Sequence, residues 1–216
     1  MASTYDLLQL KGAGSLSDAE LLALLMDDAA EGSLARAEAL LEQCGGTLTA
    51  VARADVARLR MTAGVGLKRA ARVAAAAELG RRMLALEAEN SVRTISSSVD
   101  VLRLMRPRMN DLPHEECWAL YLSSSNRLLE PYRVSQGGVQ GTVVDHRLVV
   151  KRAIELLATQ LILVHNHPSG TAEPSEEDKV LTRRIAEAAQ LFDIRLLDHL
   201  ILTRNDFFSF RSKGLL

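Results

Sequence analysis

Leu161-Ile162-Leu163-Val164-His165-Asn166-His167-Pro168-Ser169-Gly170, followed closely by Pro174-Ser175-Glu176-Glu177-Asp178, is the stretch whose reading decides the fold. Four consecutive apolar residues bounded by turn formers read as a short buried strand. His165 and His167 close it, and in an extended chain residues i and i+2 point to the same side. Both imidazoles therefore face one point. Pro168, Gly170 and Pro174 turn the chain, Ser175 opens a helix, and Asp178 falls one turn into it, facing back toward the strand end. Two neutral imidazoles and a carboxylate suit a divalent metal. Three protein ligands leave one position for water, the pattern of a catalytic rather than a structural zinc.

A second reading of the same residues needs no metal. Ser175-x-x-Asp178 is also close to a helix capping box, in which both side chains satisfy backbone N–H groups. A polar strand end carrying two histidines also occurs in ordinary surface loops. Spacing alone leaves both readings open.

His-x-His, seven residues, then Ser-x-x-Asp resembles the signature of the JAMM (MPN) metalloproteases. The fuller string His-Asn-His-Pro-Ser-Gly, then Pro-Ser-x-x-Asp, then Leu197-Asp198-His199, resembles the bacterial RadC-like branch of that family. The resemblance covers most of the chain. It implies an α/β (α+β) architecture. An N-terminal all-α helix-hairpin-helix domain over 1–86 and a linker over 87–98 precede a JAMM/MPN domain over 99–216. The latter is a cytidine-deaminase-like mixed β-sheet flanked by helices. It also implies one Zn²⁺ per chain on His165, His167 and Asp178, with a protein or peptide as substrate.

The same resemblance places a general base on a glutamate at the start of an upstream strand. Glu116 is the choice, because it precedes an aromatic position and opens the strand. Glu115 is the alternative, since alternation sends the two side chains to opposite faces. A solvated strand-start acid is the plain reading of either. Ser175 would hydrogen-bond the developing oxyanion, and Glu173 is a weaker candidate. His199 either orients a ligand or fills the core, and metal-bound imidazoles commonly have an outer partner. Relatives more often carry Pro-Arg-Glu where this chain has His146-Arg147-Leu148, so an acid is missing at Leu148. His114 reads as a loop residue.

Composition narrows the class. The chain has 216 residues, 48% hydrophobic and only 4% aromatic, so its cores are built mainly of Ala, Leu and Val. Cys44 and Cys117 are far apart and form no metal-ligand pair, which suits a reduced, cytoplasmic protein. No signal peptide opens the sequence and no apolar run reaches membrane-span length, so no membrane partner is expected. The paired-cysteine segment of zinc deaminases is missing. Cys117 and Trp118 read as strand core, because no basic neighbour lowers the thiol's pKa.

Charge is unevenly spread although the formal net is only −1. Residues 1–52 hold Lys11 and Arg36 against eight acids, a net of −6, whereas residues 53–82 hold eight Lys/Arg against Asp55 and Glu78, a net of +6. The basic stretch suits an anion or an acidic neighbouring surface. It contains Thr62-Ala63-Gly64-Val65-Gly66-Leu67-Lys68-Arg69-Ala70, and a Gly-x-Gly turn between helices resembles a helix-hairpin-helix element. There Gly64 and Gly66 would let helix N–H groups approach a phosphate, with Lys68, Arg69 and Arg72 adding charge. A plain helix–helix turn explains the glycines equally well. A DNA-binding accessory protein of DNA repair, with a structural or vestigial metal site, is therefore the competing account.

The remaining elements follow in order. Helices are expected from Ser17, where Glu20 completes a capping box, from Ser33 to Cys44, from Thr49 or Ala54 to Leu59, and, after the Thr62–Ala70 stretch, as a long Ala-rich helix to about Leu86. Another spans Val99 to Met105, with Pro107 and Pro113 breaking the chain beyond it. Glu115 to Leu122 and Arg127 to Ser135 form a hairpin. Gly137-Gly138 and Gly141 mark a loop before an extended segment at Thr142–Val144. Arg147–Ala158 is a helix leading into the metal-site strand, Glu176–Phe192 is a helix, and one or two strands close the domain between Ile194 and Thr203. An exposed sheet edge or the Ala-rich helix would serve a homodimer.

Overall fold

The computed structural model describes residues 4–26, 32–137 and 144–216. Two compact units divide between Arg81 and Arg82. The first holds α1 (Thr4–Lys11), a 3₁₀ turn (Ala13–Ser15), α2 (Asp18–Leu25), α3 (Ser33–Cys44), α4 (Leu48–Arg53), α5 (Val56–Leu59) and the start of α6 (Leu67–Ser91). Ser17 and Glu20 form the expected capping box at α2. One helix was expected up to Leu59. Two form instead, because Ala54 turns extended and the Asp55 carboxylate accepts the N–H of Arg58, starting α5 afresh. Leu22, Met26, Leu40, Val51, Leu59 and Val73 are among the residues that build this unit's core.

The second unit continues α6 and adds α7 (Ser98–Met109), β1 (Glu116–Leu122), β2 (Leu128–Gln136), α8 (His146–Glu155), β3 (Gln160–Asn166), α9 (Glu176–Gln190), β4 (Arg195–Leu202) and β5 (Phe207–Ser209). The five strands make one mixed sheet in the order β2-β1-β3-β4-β5. β3 and β4 are parallel, joined by α9, and the other neighbours are antiparallel. Strand alternation splits the core into two layers. Leu120, Leu122, Ile162 and Val164 pack with Val101, Leu104 and Met105 of α7. Ala119, Tyr121, Leu161 and Leu163 pack with Val149, Ala153, Ile185 and Ala189 of α8 and α9. β3 is buried along its whole length, which is why it reads as an unbroken apolar run.

Two expectations are corrected. Residues 87–91 are not linker but the last turns of α6, while Val92 and Ile95 are buried in the second core and Thr94 bridges to Arg127. Pro107 does not end α7; it lies in the last turn, where only a short stretch of helix follows. The glycine loop and the extended segment expected before α8 lie outside the described residues, apart from Gly137 and Val144.

Candidate metal centre

β3 and the N-terminus of α9 bring three side chains to one point. The ligand-type atoms of His165, His167 and Asp178 all lie within 4.8 Å of one another. His165 Nε2 is 2.8 Å from His167 Nε2 and 3.2 Å from Asp178 Oδ1, and His167 Nε2 is 3.6 Å from Asp178 Oδ2. Metal ligation and capping are not alternatives here. Asp178 Oδ2 accepts from the N–H and the hydroxyl of Ser175 (2.8 and 2.7 Å), closing the capping box, while Oδ1 is turned to His165.

The hydrogen-bond network assigns the proton on each ring from partners whose polarity is fixed. The backbone carbonyl of Asp178 can only accept, so the Thr182 hydroxyl donates to it at 2.6 Å. The Thr182 oxygen then accepts from His199 Nδ1–H, also at 2.6 Å. Burial holds the His199 ring well below the ordinary imidazole pKa, so it is neutral and its Nε2 carries a lone pair. That lone pair accepts from His165 Nδ1–H at 2.8 Å. Separately, the carbonyl of Thr171 accepts from His167 Nδ1–H at 2.7 Å. Both Nε2 atoms are thereby left as lone pairs, facing each other and a carboxylate. Burial opposes ionisation of Asp178, but the adjoining His165 and His167 rings and the hydrogen bonds from Ser175 outweigh that and hold the carboxyl far below the usual range. Three acceptors with no proton between them are a poor hydrogen-bonded cluster and a good cation site. The donor set fits a divalent metal.

His199 takes the supporting role. It is fully buried, stacks on Phe210 with ring centroids 4.9 Å apart, and holds His165 in one tautomer. Its neighbour Asp198 accepts from Ser209 Oγ and from the N–H groups of His199 and Arg211, tying β4 to the chain end.

Glu116 requires a correction. Cys117 pairs with His165 across β1 and β3, so the side chain of Glu116 falls on the opposite face from the imidazoles. There its carboxylate accepts from Arg133 Nη1 (2.9 Å) and Trp118 Nε1 (2.8 Å), with His114 Nε2 at 3.3 Å. It is buried in a structural cluster. Strand alternation carried one residue before β1 puts Glu115, not Glu116, on the side of Cys117 and His165. Its charge is a minor contribution to the raised pKa of His167, behind the neighbouring Asp178. His114, read as a loop residue, joins the Glu116 cluster.

Ser175 stands at the expected place, its hydroxyl donating to Asp178. Burial, with a contribution from Asp178, pushes the Cys117 thiol up to about 12, so it is no nucleophile. Leu148 is 52% exposed on α8. In the first unit Gly64 adopts φ 77° at the turn before α6, and Arg69 Nη1 donates to its carbonyl at 3.2 Å. A Cβ there would come within 2.8 Å of the Arg36 side chain, so the glycine has a structural reason of its own. Gly66 accepts the N–H of Ala70 as α6 begins, and Lys68, Arg69 and Arg72 follow on the first turns. Sequence reasoning missed Thr182, although it lies one helical turn after Asp178, and it gave Asn166 no task.

Residues 95–215 match the model of the RadC-like JAB domain. A UPF0758 protein of Flavobacterium johnsoniae is 41% identical over 210 residues, covering 96% of this chain and 91% of the relative. Another, from Aromatoleum aromaticum, is 42% identical over 209 residues, covering 95% and 92%. With the His-His-Asp centre lying inside the matched region, the chain belongs to the RadC-like JAB domain family.

Proposed function

We propose that this protein is a zinc-dependent hydrolase of peptide or isopeptide bonds. The observation that carries the reading is the convergence of two Nε2 lone pairs and one carboxylate, each held by a partner that blocks other uses. His165, His167 and Asp178 would hold the ion, leaving room for a further ligand. When bound, zinc supplies Lewis acidity and makes a water nucleophilic near neutral pH. Glu115, on the imidazole face, takes the proton of the attacking water on its carboxylate and returns it to the leaving amine. Ser175, at the rim, donates its hydroxyl toward the developing oxyanion once it exchanges its Asp178 partner. Non-haem iron also suits this ligand set; zinc is our choice because three protein ligands with one open position match a catalytic zinc site and the chain belongs to the RadC-like JAB domain family.

The test is cleavage of a diverse peptide and isopeptide library by zinc-loaded protein. Cleavage by the wild type that is lost in Glu115→Gln, with metal content unchanged, is the expected result. Equal cleavage by Glu115→Gln would overturn the assignment.

A second reading concerns the first unit, where the N–H groups of the first turn of α6 have no partner within the helix and follow the tight Gly64 turn. On this reading residues 53–82 bind the DNA backbone through Gly64, Gly66, Lys68, Arg69 and Arg72. Binding should weaken steeply with salt, and replacing the three basic residues together should flatten that dependence. Absence of DNA binding at low salt would remove this reading and leave the hydrolase untouched.

A further inference from the structure

Asn166 lies between the two histidines, yet its side chain faces away from them. The backbone ladder between β1 and β3 ends at the pair Cys117 and His165. Beyond that pair the main chain of β3 turns off, for the N–H of His167 donates to Leu202 in β4. The side chain of Asn166 continues the ladder in its place. Oδ1 accepts the N–H of Glu116 at 2.8 Å, and Nδ2 donates to the carbonyl of His114 at 2.9 Å. Because both partners are backbone groups of fixed polarity, the amide has a single orientation.

These two bonds bracket one residue. The His114 carbonyl belongs to the peptide before Glu115, and the Glu116 N–H belongs to the peptide after it. The remaining carbonyl, that of Glu115 itself, accepts the N–H of Gly137 at 2.7 Å. Three of the four polar groups in the two peptides that flank Glu115 are thus held, two of them by Asn166. Asn166 is 4% exposed, so water competes little for these bonds.

We propose that Asn166 is a positioning residue that fixes the backbone of Glu115 and so aims its carboxylate at the centre formed by the flanking histidines. One residue thereby sets the spacing between the metal ligands and the base. An alanine at this position would leave the Glu116 N–H and the His114 carbonyl without their partner, at a strand end where no main-chain group of β3 replaces it. Glu115 could then change its φ and ψ while His165 and His167 stayed in β3. A displacement of about 1 Å is enough to cost a reaction on the order of a hundredfold. The chemical consequence rests on the hydrolase reading; the backbone consequence does not.

The experiment compares zinc-loaded, full-length wild type with Asn166→Ala, Glu115→Gln and the double variant. Hydrogen exchange followed residue by residue reads the backbone effect. In Asn166→Ala the Glu116 amide should exchange on the order of tenfold faster or more, while amides of Ala119 to Leu122 and the metal content stay as in wild type. Cleavage of the peptide library reads the chemistry. Asn166→Ala should lower kcat by about a hundredfold with KM unchanged, and the double variant should be no slower than Glu115→Gln alone. An unchanged Glu116 amide overturns the proposal, as does loosening of all of β1 or loss of metal, which would mark a general structural role. Multiplicative losses in the double variant overturn it too. If the wild type cleaves nothing, the hydrolase reading fails by itself, and the exchange result still decides whether Asn166 fixes Glu115.

Discussion

At the residue scale the centre depends on directional bonds. His199 keeps a lone pair for His165 because Thr182 and burial fix its own tautomer. His199→Phe keeps the stack on Phe210 but removes that acceptor. Metal affinity should fall about 10- to 100-fold, measured by competition with a chromophoric chelator; an unchanged affinity would contradict the role given to His199. Glu116 and Glu115 should separate cleanly. Glu116→Gln weakens bonds to Arg133 and Trp118 in a buried cluster and should lower stability by about 1–3 kcal/mol in denaturant titration while retaining metal. The convergence of His165, His167 and Asp178 was legible in the sequence because i, i+2 spacing on a strand and a Ser-x-x-Asp helix start each fix a direction. Which glutamate shares their side was not. Alternation shows that Glu115 and Glu116 face opposite ways, but only the pairing of Cys117 with His165 shows which one lies on the imidazole side.

Elements are set by their ends as much as by their apolar faces. The Asp100 carboxylate accepts from the N–H groups and hydroxyls of Ser96 and Ser97 at the start of α7. The Ser96 hydroxyl, then its N–H, lower the Asp100 pKa most, with burial opposing. A lowered folded pKa means that this stabilisation is present above the unfolded carboxyl value and is lost as pH falls through the folded one. Asp100→Asn should therefore destabilise the protein by about 1 kcal/mol at neutral pH, with the gap closing in acid. Thermal melts from neutral pH down to pH 3 check this; a gap independent of pH would contradict it. The polar Glu87–Ser91 run reads as linker because it lacks apolar period. It remains helical since nothing in it breaks a helix already propagating from Leu67, and Ala85 and Ala88 are buried. Pro107 misled for a related reason: it comes so near the C-terminal end that only Arg108 and Met109 of the helix lie beyond it.

For the whole molecule, the order of elements from α7 to β4 was readable, and with it an α/β domain preceded by a helical unit, whereas α1 and β5 were not. The layering was not, because which helices cover which face depends on the sheet order β2-β1-β3-β4-β5. Two separate cores carry a thermodynamic consequence. The candidate ligands His165, His167 and Asp178 all lie in the second unit, so zinc offered at about a hundred times its dissociation constant should add roughly 2.7 kcal/mol to that unit's stability. Hydrogen exchange should show the gain at Tyr121, Leu161 and Leu163 and not at Leu22, Leu40 and Val51. No helix among the described residues is long and apolar enough to cross a membrane.

A cation site formed by His165, His167 and Asp178 is what the proposed chemistry requires first. The most direct measurement is the metal content of protein purified without added metal, with wild type set against His165→Ala/His167→Ala. About one zinc per chain in the wild type and none in a folded double variant is the predicted result. A wild type that remains without metal even when zinc is offered would contradict it.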